Sequence, residues 1–438
     1  MRKEKQRDLR SLDWKRTLLV TLPFAGALGF WQAYDGIVPL ILRDTFHMGD
    51  TLSGVVMALD NICALFLLPL FGSLSDHCQS RLGRRTPFIL IGSLLAAFLI
   101  PLLSVADRME SLPVFLIVLC LLLIVLSSYR SPCVALMPDV TPRPVRAKAD
   151  AFNSLMAAAS GIIIMISISF AVPDVERPSY LTVFLIVSAL IIICTIIFAA
   201  LFREKTEVKK MHEESIAMGI PEEEADVLDE GGNEKETDAV IRRSLIGILL
   251  CVFFYFMASN SVTTAFSKYA SNVWGAGGGS FANFQLVATL VTLISYMPMA
   301  GLSCRIGRKY TTYIGIGLMC LGGIAIFMIS GYTPLIYLWV SVAGVGMGTV
   351  ATTIYPMIME VASENTTGRY TGYYYTASMA AQIITPILSG AVMEFIGYRY
   401  LYLYAVICAI LAGIPLFLVK KGNTVLLKDL AIREAEEL

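Results

Sequence analysis

The stretch FGSLSDHCQSRLGRRTPFIL, Phe71–Leu90, sets Asp76, His77, Arg81, Arg84 and Arg85, with Gly72 and Gly83, between two long apolar runs. A helix needs roughly 20 apolar residues to cross the hydrocarbon of a bilayer. The runs on either side, residues 52–73 and 86–105, both reach that length. The stretch is therefore a short polar connection between two membrane spans, and the rest of the chain repeats the pattern. Apolar runs recur at 17–42, 52–73, 86–105, 113–136, 150–172 and 180–202, then at 243–267, 281–301, 310–330, 334–358, 369–393 and 399–419. Twelve spans are predicted, and the first is expected to be retained: its apolar segment is too long for a signal-peptide core and lacks a clear cleavage site.

Composition agrees. The 438 residues are 56% hydrophobic and 16% charged, more apolar side chain than a soluble core hides. Formal net charge is zero and no P-loop is present, so nothing points to nucleic acid or ATP. His47, His77 and His212 are far apart and no Cys/His cluster has ligand spacing, so neither a metal site nor a cofactor is predicted. The nine cysteines are odd in number, and Cys63, Cys120, Cys194, Cys320 and Cys408 sit in apolar runs as small hydrophobes, so no structural disulfide is expected. No catalytic nucleophile or metal cluster is visible, and the chain is not read as an enzyme.

Lys and Arg in short loops mark the cytoplasmic side. The segments 2–16, 73–86, 139–149, 302–311, 359–370 and 420–438 hold 7, 3, 3, 3, 1 and 4 of them, whereas the opposite connections hold only Arg43, Arg108, Arg177, Lys268 and Arg399. Both termini are thus expected in the cytoplasm. Residues 1–202 form a first six-helix bundle, 203–243 a linker, and 244–438 a second bundle with a short tail. The linker is acid-rich and poor in aromatics, which reads as a solvated connection with one surface helix or as a regulatory docking segment.

The polar connection after the second span has a counterpart after the eighth, GLSCRIGRK, Gly301–Lys309, with Gly83 and Gly307 separated by 224 residues. LMPDVTPRPVRAKADAFN (Leu136–Asn153) likewise pairs with IMEVASENTTGRYTGYYY (Ile358–Tyr375), setting Asp139 opposite Glu360 and Arg146 opposite Arg369. Two matched pairs at nearly one offset imply duplicated halves. Six plus six helices in parallel repeats around a cytoplasmic linker resemble the major facilitator superfamily, in which substrate binds between the halves. GSLSDHCQSRLGRRTPFI, SPCVALMPDV (Ser131–Val140) and ALDN (Ala58–Asn61) resemble its sucrose-transporter branch, near the glycoside-pentoside-hexuronide cation symporters. That resemblance implies an all-α membrane protein of 12 transmembrane helices in the major facilitator fold, two six-helix bundles working by alternating access. It also implies a gating latch of Gly72, Asp76, Gly83, Arg84 and Arg85, with Arg308 as its repeat mate, closing near 368–371 at the start of helix eleven. The sequence departs from the plant carriers at Leu123, where they have an aspartate, and at His77, where an arginine is usual. Proton coupling and sucrose are therefore not inherited from the resemblance.

Ionisable groups inside spans are costly and mark function by default. Asp35 with Gln32 in span one, Asp60 with Asn61 in span two, and Arg130 in span four are the candidates for substrate and ion binding. One of the two aspartates is expected to carry a proton or contact sodium; a packing role for the Asp60-Asn61 pair is the structural alternative. In the second half Asn260, Gln285 and Gln382 are the candidate substrate amides, while Tyr373, Tyr374 and Tyr375 read equally as a sugar platform or an interfacial belt. Gly344 and Gly348 form a small-xxx-small packing contact. The expectation is a transporter of a sugar or glycoside, coupled to protons or sodium, working as a monomer in the plasma membrane. The alternatives are proton-coupled export of an amphipathic compound, or a sugar sensor of the same fold.

Overall fold

A computed structural model describes residues 12–175, 177–217, 235–361 and 367–419. Its helices are α1 (Trp14–Asp44), α2 (Asp50–Asp76), α3 (Thr86–Arg108), α4 (Leu112–Asp139), α5 (Arg146–Ala171), α6 (Leu181–Leu201), α7 (Glu204–Ala217), α8 (Lys235–Trp274), α9 (Phe281–Ile306), α10 (Arg308–Met328), α11 (Leu335–Val361), α12 (Thr367–Phe395) and α13 (Leu401–Gly413). The predicted spans one to six correspond to α1–α6 and spans seven to twelve to α8–α13.

Eleven helical segments among the described residues are long and apolar enough to cross a membrane. The first helix, α1, is the twelfth; its 31 residues rise about 46 Å, and Trp31, Gln32, Tyr34 and Asp35 dilute its apolar character. Asp13 caps it, accepting from the Arg16 N–H at 3.2 Å. Large apolar side chains are exposed on the spans: Phe98, Phe170 and Met297 by 67%, 88% and 85%, as a membrane-spanning helix permits. The linker's surface helix is α7; the rest of the linker, residues 218–234, and the tail, 420–438, lie outside the described residues.

By its contacts the chain divides into two compact units, Met1–Phe46 with Leu59–Glu224, and His47–Ala58 with Ala225–Leu438. In the first, α1 packs on α5 and α6, and α3 packs on α4 and α6. In the second, α8 packs on α12 and α13, and α10 on α11 and α13. These partner choices match between the halves, α8 choosing as α1 does and α10 as α3 does, the structural form of the duplication. Gly83 at φ +127° and Gly307 at φ +92° end the two matched loops in the left-handed region that glycine adopts without strain.

The first turns of α2 belong to the second unit. A Cβ on Gly54 would stand 2.1 Å from the Pro386 carbonyl oxygen, and one on Gly390 would stand 2.3 Å from the Asp50 carbonyl oxygen, so α2 and α12 meet backbone to backbone. Gly344 and Gly348 make the predicted helix contact, their α-carbons facing Thr292 and Tyr296 of α9. Lys268, expected in an external loop, is instead buried on α8, because that helix continues to Trp274.

Candidate functional site

Residues Trp31, Tyr34 and Asp35 follow one another at helical spacing and so share a face of α1. Tyr34 is fully buried, and its ring meets Trp31 edge to face at 5.4 Å. From α4, the Arg130 guanidinium lies 5.6 Å from the Trp31 ring centre, a cation-π contact. From α2, Asp60 Oδ1 accepts from the Asn61 backbone N–H at 2.6 Å and its Nδ2 at 2.7 Å. The pair thus bonds within itself. Asp60 lies in the field of Arg130, and Asp35 in the field of Asp60. The Tyr34 hydroxyl sits near both carboxylates. Gln32 packs against α5, where a Cβ on Gly161 would stand 3.1 Å from its Cγ.

Four of the five residues predicted in the first half, Asp35, Asp60, Asn61 and Arg130, are therefore one electrostatic group on α1, α2 and α4. Asp35, Asp60 and Arg130 are the ionisable residues of this group. Trp31 and Tyr34 were missed; their spacing to Asp35 was the available signal. Trp31 Nε1 is buried with no hydrogen-bond partner among the described residues, leaving a donor for a ligand.

The predicted amides lie in the second unit. Asn260 Oδ1, on α8, is buried and unpartnered among the described residues. Gln285 on α9 is half-buried, and Gln382 on α12 donates from Nε2 to the Ser378 carbonyl at 3.3 Å. Nearby aromatics are structured: Tyr374 meets Phe256 at 6.2 Å and Tyr355 at 5.2 Å, while Arg369 Nε donates to the Tyr373 hydroxyl at 2.8 Å.

The predicted latch is an ion-pair hub inside the first unit. Arg85 is almost wholly buried, and its guanidinium reaches Asp76 at 2.5 Å, Asp139 at 3.1 Å, Ser75 Oγ at 2.5 Å and the Gly72 carbonyl at 3.3 Å. Arg84 stands 3.8 Å from Asp139. The repeat mate is Arg308 with Glu360 at 2.8 Å, the acid predicted to match Asp139. Residues 362–366, which lead to the expected closing point, lie outside the described residues.

A residue sequence reasoning missed completes the hub. Glu204, first residue of α7, is buried, and its carboxylate accepts from the backbone N–H groups of Arg84 at 2.7 Å, Arg85 at 3.1 Å and Thr86 at 2.8 Å, and from the Thr86 hydroxyl at 2.7 Å. A carboxylate at a helix N-terminus satisfies donors that the helix leaves open and complements its dipole. Gly83 admits it: a Cβ there would stand 2.2 Å from Glu204 Oε2.

A family model described as MFS/sugar transport protein matches residues 22–403. The alpha-ketoglutarate permease of Escherichia coli (strain K12) is 33% identical over 136 residues, 30% of this chain and 30% of that protein. The human Proton-associated sugar transporter A is 37% identical over 98 residues, 22% of this chain and 12% of that protein. The chain thus matches less than a third of the length of either relative. The xylose transporter XylE from E. coli, inward open, is similar at a TM-score of 0.66 and 14% identity, over 93% of this chain and 96% of that one. A bacterial homolog of the human lysosomal transporter Spinster, inward-facing and unoccupied, is similar at 0.67 and 13% identity, over 96% and 99%.

Proposed function

Because this chain belongs to the MFS/sugar transport protein family, membrane transporters of the major facilitator fold and not enzymes, we propose that it moves a sugar or glycoside by alternating access, driven by symport of a proton or sodium ion. The observation that carries this proposal is the group Asp35, Asp60 and Arg130 with Trp31, held on three spans of one unit. One aspartate takes the coupling cation, which relieves the repulsion between the two carboxylates, while Arg130 holds the charge of the other. Trp31, in the first unit, offers an aromatic face and an indole N–H to a sugar ring; Asn260, Gln285 and Gln382, in the second unit, are candidate amides for sugar hydroxyls.

The latch residues Asp76, Arg84, Arg85 and Arg308 stabilise one state of the cycle from the cytoplasmic face, where the basic loops and both termini lie. The carrier works as a monomer in the plasma membrane. Support for the sugar class comes from the family and from a relative named for proton-associated sugar transport. Purified protein in proteoliposomes tests the proposal with labelled sugars, glycosides and alpha-ketoglutarate under imposed proton or sodium gradients. Accumulation of a sugar above equilibrium supports it. Accumulation of alpha-ketoglutarate alone, gradient-driven loss of preloaded amphipathic compounds, or sugar binding without flux overturns it.

A further inference from the structure

A cleft of about 830 Å³ opens between the connection following α2 and the face of α7, remote from the intramembrane group. Arg81 and Arg84 line it from the connection, Lys205 and Lys209 from α7, and His77 and His212 stand one on each side. Its two carboxylates are already engaged: Asp76 pairs with Arg85, and Glu204 accepts from the start of α3. Among the described residues no carboxylate forms an ion pair with Arg81, Lys205 or Lys209, and all three are exposed. The walls are built, not draped. Glu204 holds one end of α7 on α3, and Glu214 holds the other through Arg16 of α1 at 2.7 Å.

We propose that this cleft binds a phosphate ester through Arg81, Arg84, Lys205 and Lys209. Three cations with no carboxylate ion pair among the described residues, and Arg84, which stands 3.8 Å from Asp139, suit a compact multivalent anion. A phosphate monoester carries a charge of about −1.5 to −2 at neutral pH and three strong acceptor oxygens, where a carboxylate would leave most of the positive charge unmatched. Arginine forks bind such oxygens bidentately, and lysines add point charge. The volume exceeds that of phosphate alone, so the ester's organic part fits as well. α7 lies on the segment joining the two halves, so an occupant bridging α7 to the loop would stiffen that segment. The same headgroup chemistry is offered by soluble phosphorylated metabolites and by anionic lipids at the membrane surface.

The test is hydrogen exchange on the full-length protein, in two arms. One adds glucose 6-phosphate to protein in neutral-lipid nanodiscs; the other uses nanodiscs containing phosphatidylinositol phosphate. Protection of residues 76–84 and 204–212 in the first arm identifies a soluble ester, and protection only in the second identifies a lipid. The R81Q/K205Q/K209Q variant should bind at least about tenfold more weakly while retaining the wild-type exchange pattern in α1 and α3, which shows that it is folded. Lack of protection in both arms overturns the proposal, as does unchanged affinity of the triple variant.

Discussion

Lys268 Nζ donates to Asp50 Oδ1 at 2.7 Å and to Ser53 Oγ at 3.3 Å, with 4% and 7% of the two charged side chains exposed. The ion pair fastens α8 to the first turn of α2, and Glu394 of α12 accepts from the Thr51 N–H at 2.8 Å beside it. Removing one partner of a buried pair strands the other charge, at a cost of about 3–5 kcal/mol. Lys268→Met should therefore lower the thermal transition of the purified protein sharply. Adding Asp50→Asn should recover most of that loss; a double variant no better than the single would show that the pair is not what Lys268 supplies.

Glu204 and Gly83 are coupled by contact. Glu204→Ala leaves three backbone donors at the start of α3 without their acceptor, at a cost of about 1–2 kcal/mol. Gly83→Ala places a methyl against the carboxylate and also forces φ +127° on a residue with a Cβ. The double variant should cost less than the sum of the singles, because removing the carboxylate removes the clash. Strict additivity in thermal melts would deny the contact.

Arg308 and Glu360 form a simple pair at 2.8 Å, whereas Arg85 serves four oxygens. The Arg308→Glu, Glu360→Arg exchange should restore transport that either single variant loses. Arg85→Lys should not be tolerated, since one ammonium lacks the planar fork that spans Asp76, Asp139 and Gly72. Uptake rates in proteoliposomes separate the two cases.

Glycines of one sequence type carry different loads. Gly54→Ala drives a methyl into the Pro386 backbone, while Gly301→Ala meets nothing within 4 Å. The first should destabilise markedly. The second should be neutral or stabilise by about 0.5–1 kcal/mol, as alanine does inside helices. Thermal transitions of the two variants, compared with wild type, check the contrast.

The spans were legible because each apolar run is local, and the duplication was legible because Gly83 and Gly307 keep their spacing. Asp139 and Glu360, matched by register, do each meet an arginine of the matched loop. What stayed hidden depends on distance along the chain. Lys268 and Asp50 are 218 residues apart, so Lys268 read as a loop charge when it is a buried helix residue. Glu204 read as part of a solvated linker, yet it completes α3 from 118 residues away. Asp35 and Asp60 were each conspicuous for their position in a span, but their mutual field exists only in the folded chain.

The paired intramembrane carboxylates Asp35 and Asp60 are proposed to take up the coupling ion. The direct measurement is sugar accumulation in proteoliposomes under an imposed cation gradient by wild type, Asp35→Asn and Asp60→Asn. Wild type should concentrate its sugar. At least one variant should lose accumulation about tenfold or more while still exchanging sugar across the bilayer without a gradient. Undiminished accumulation by both variants would contradict the account.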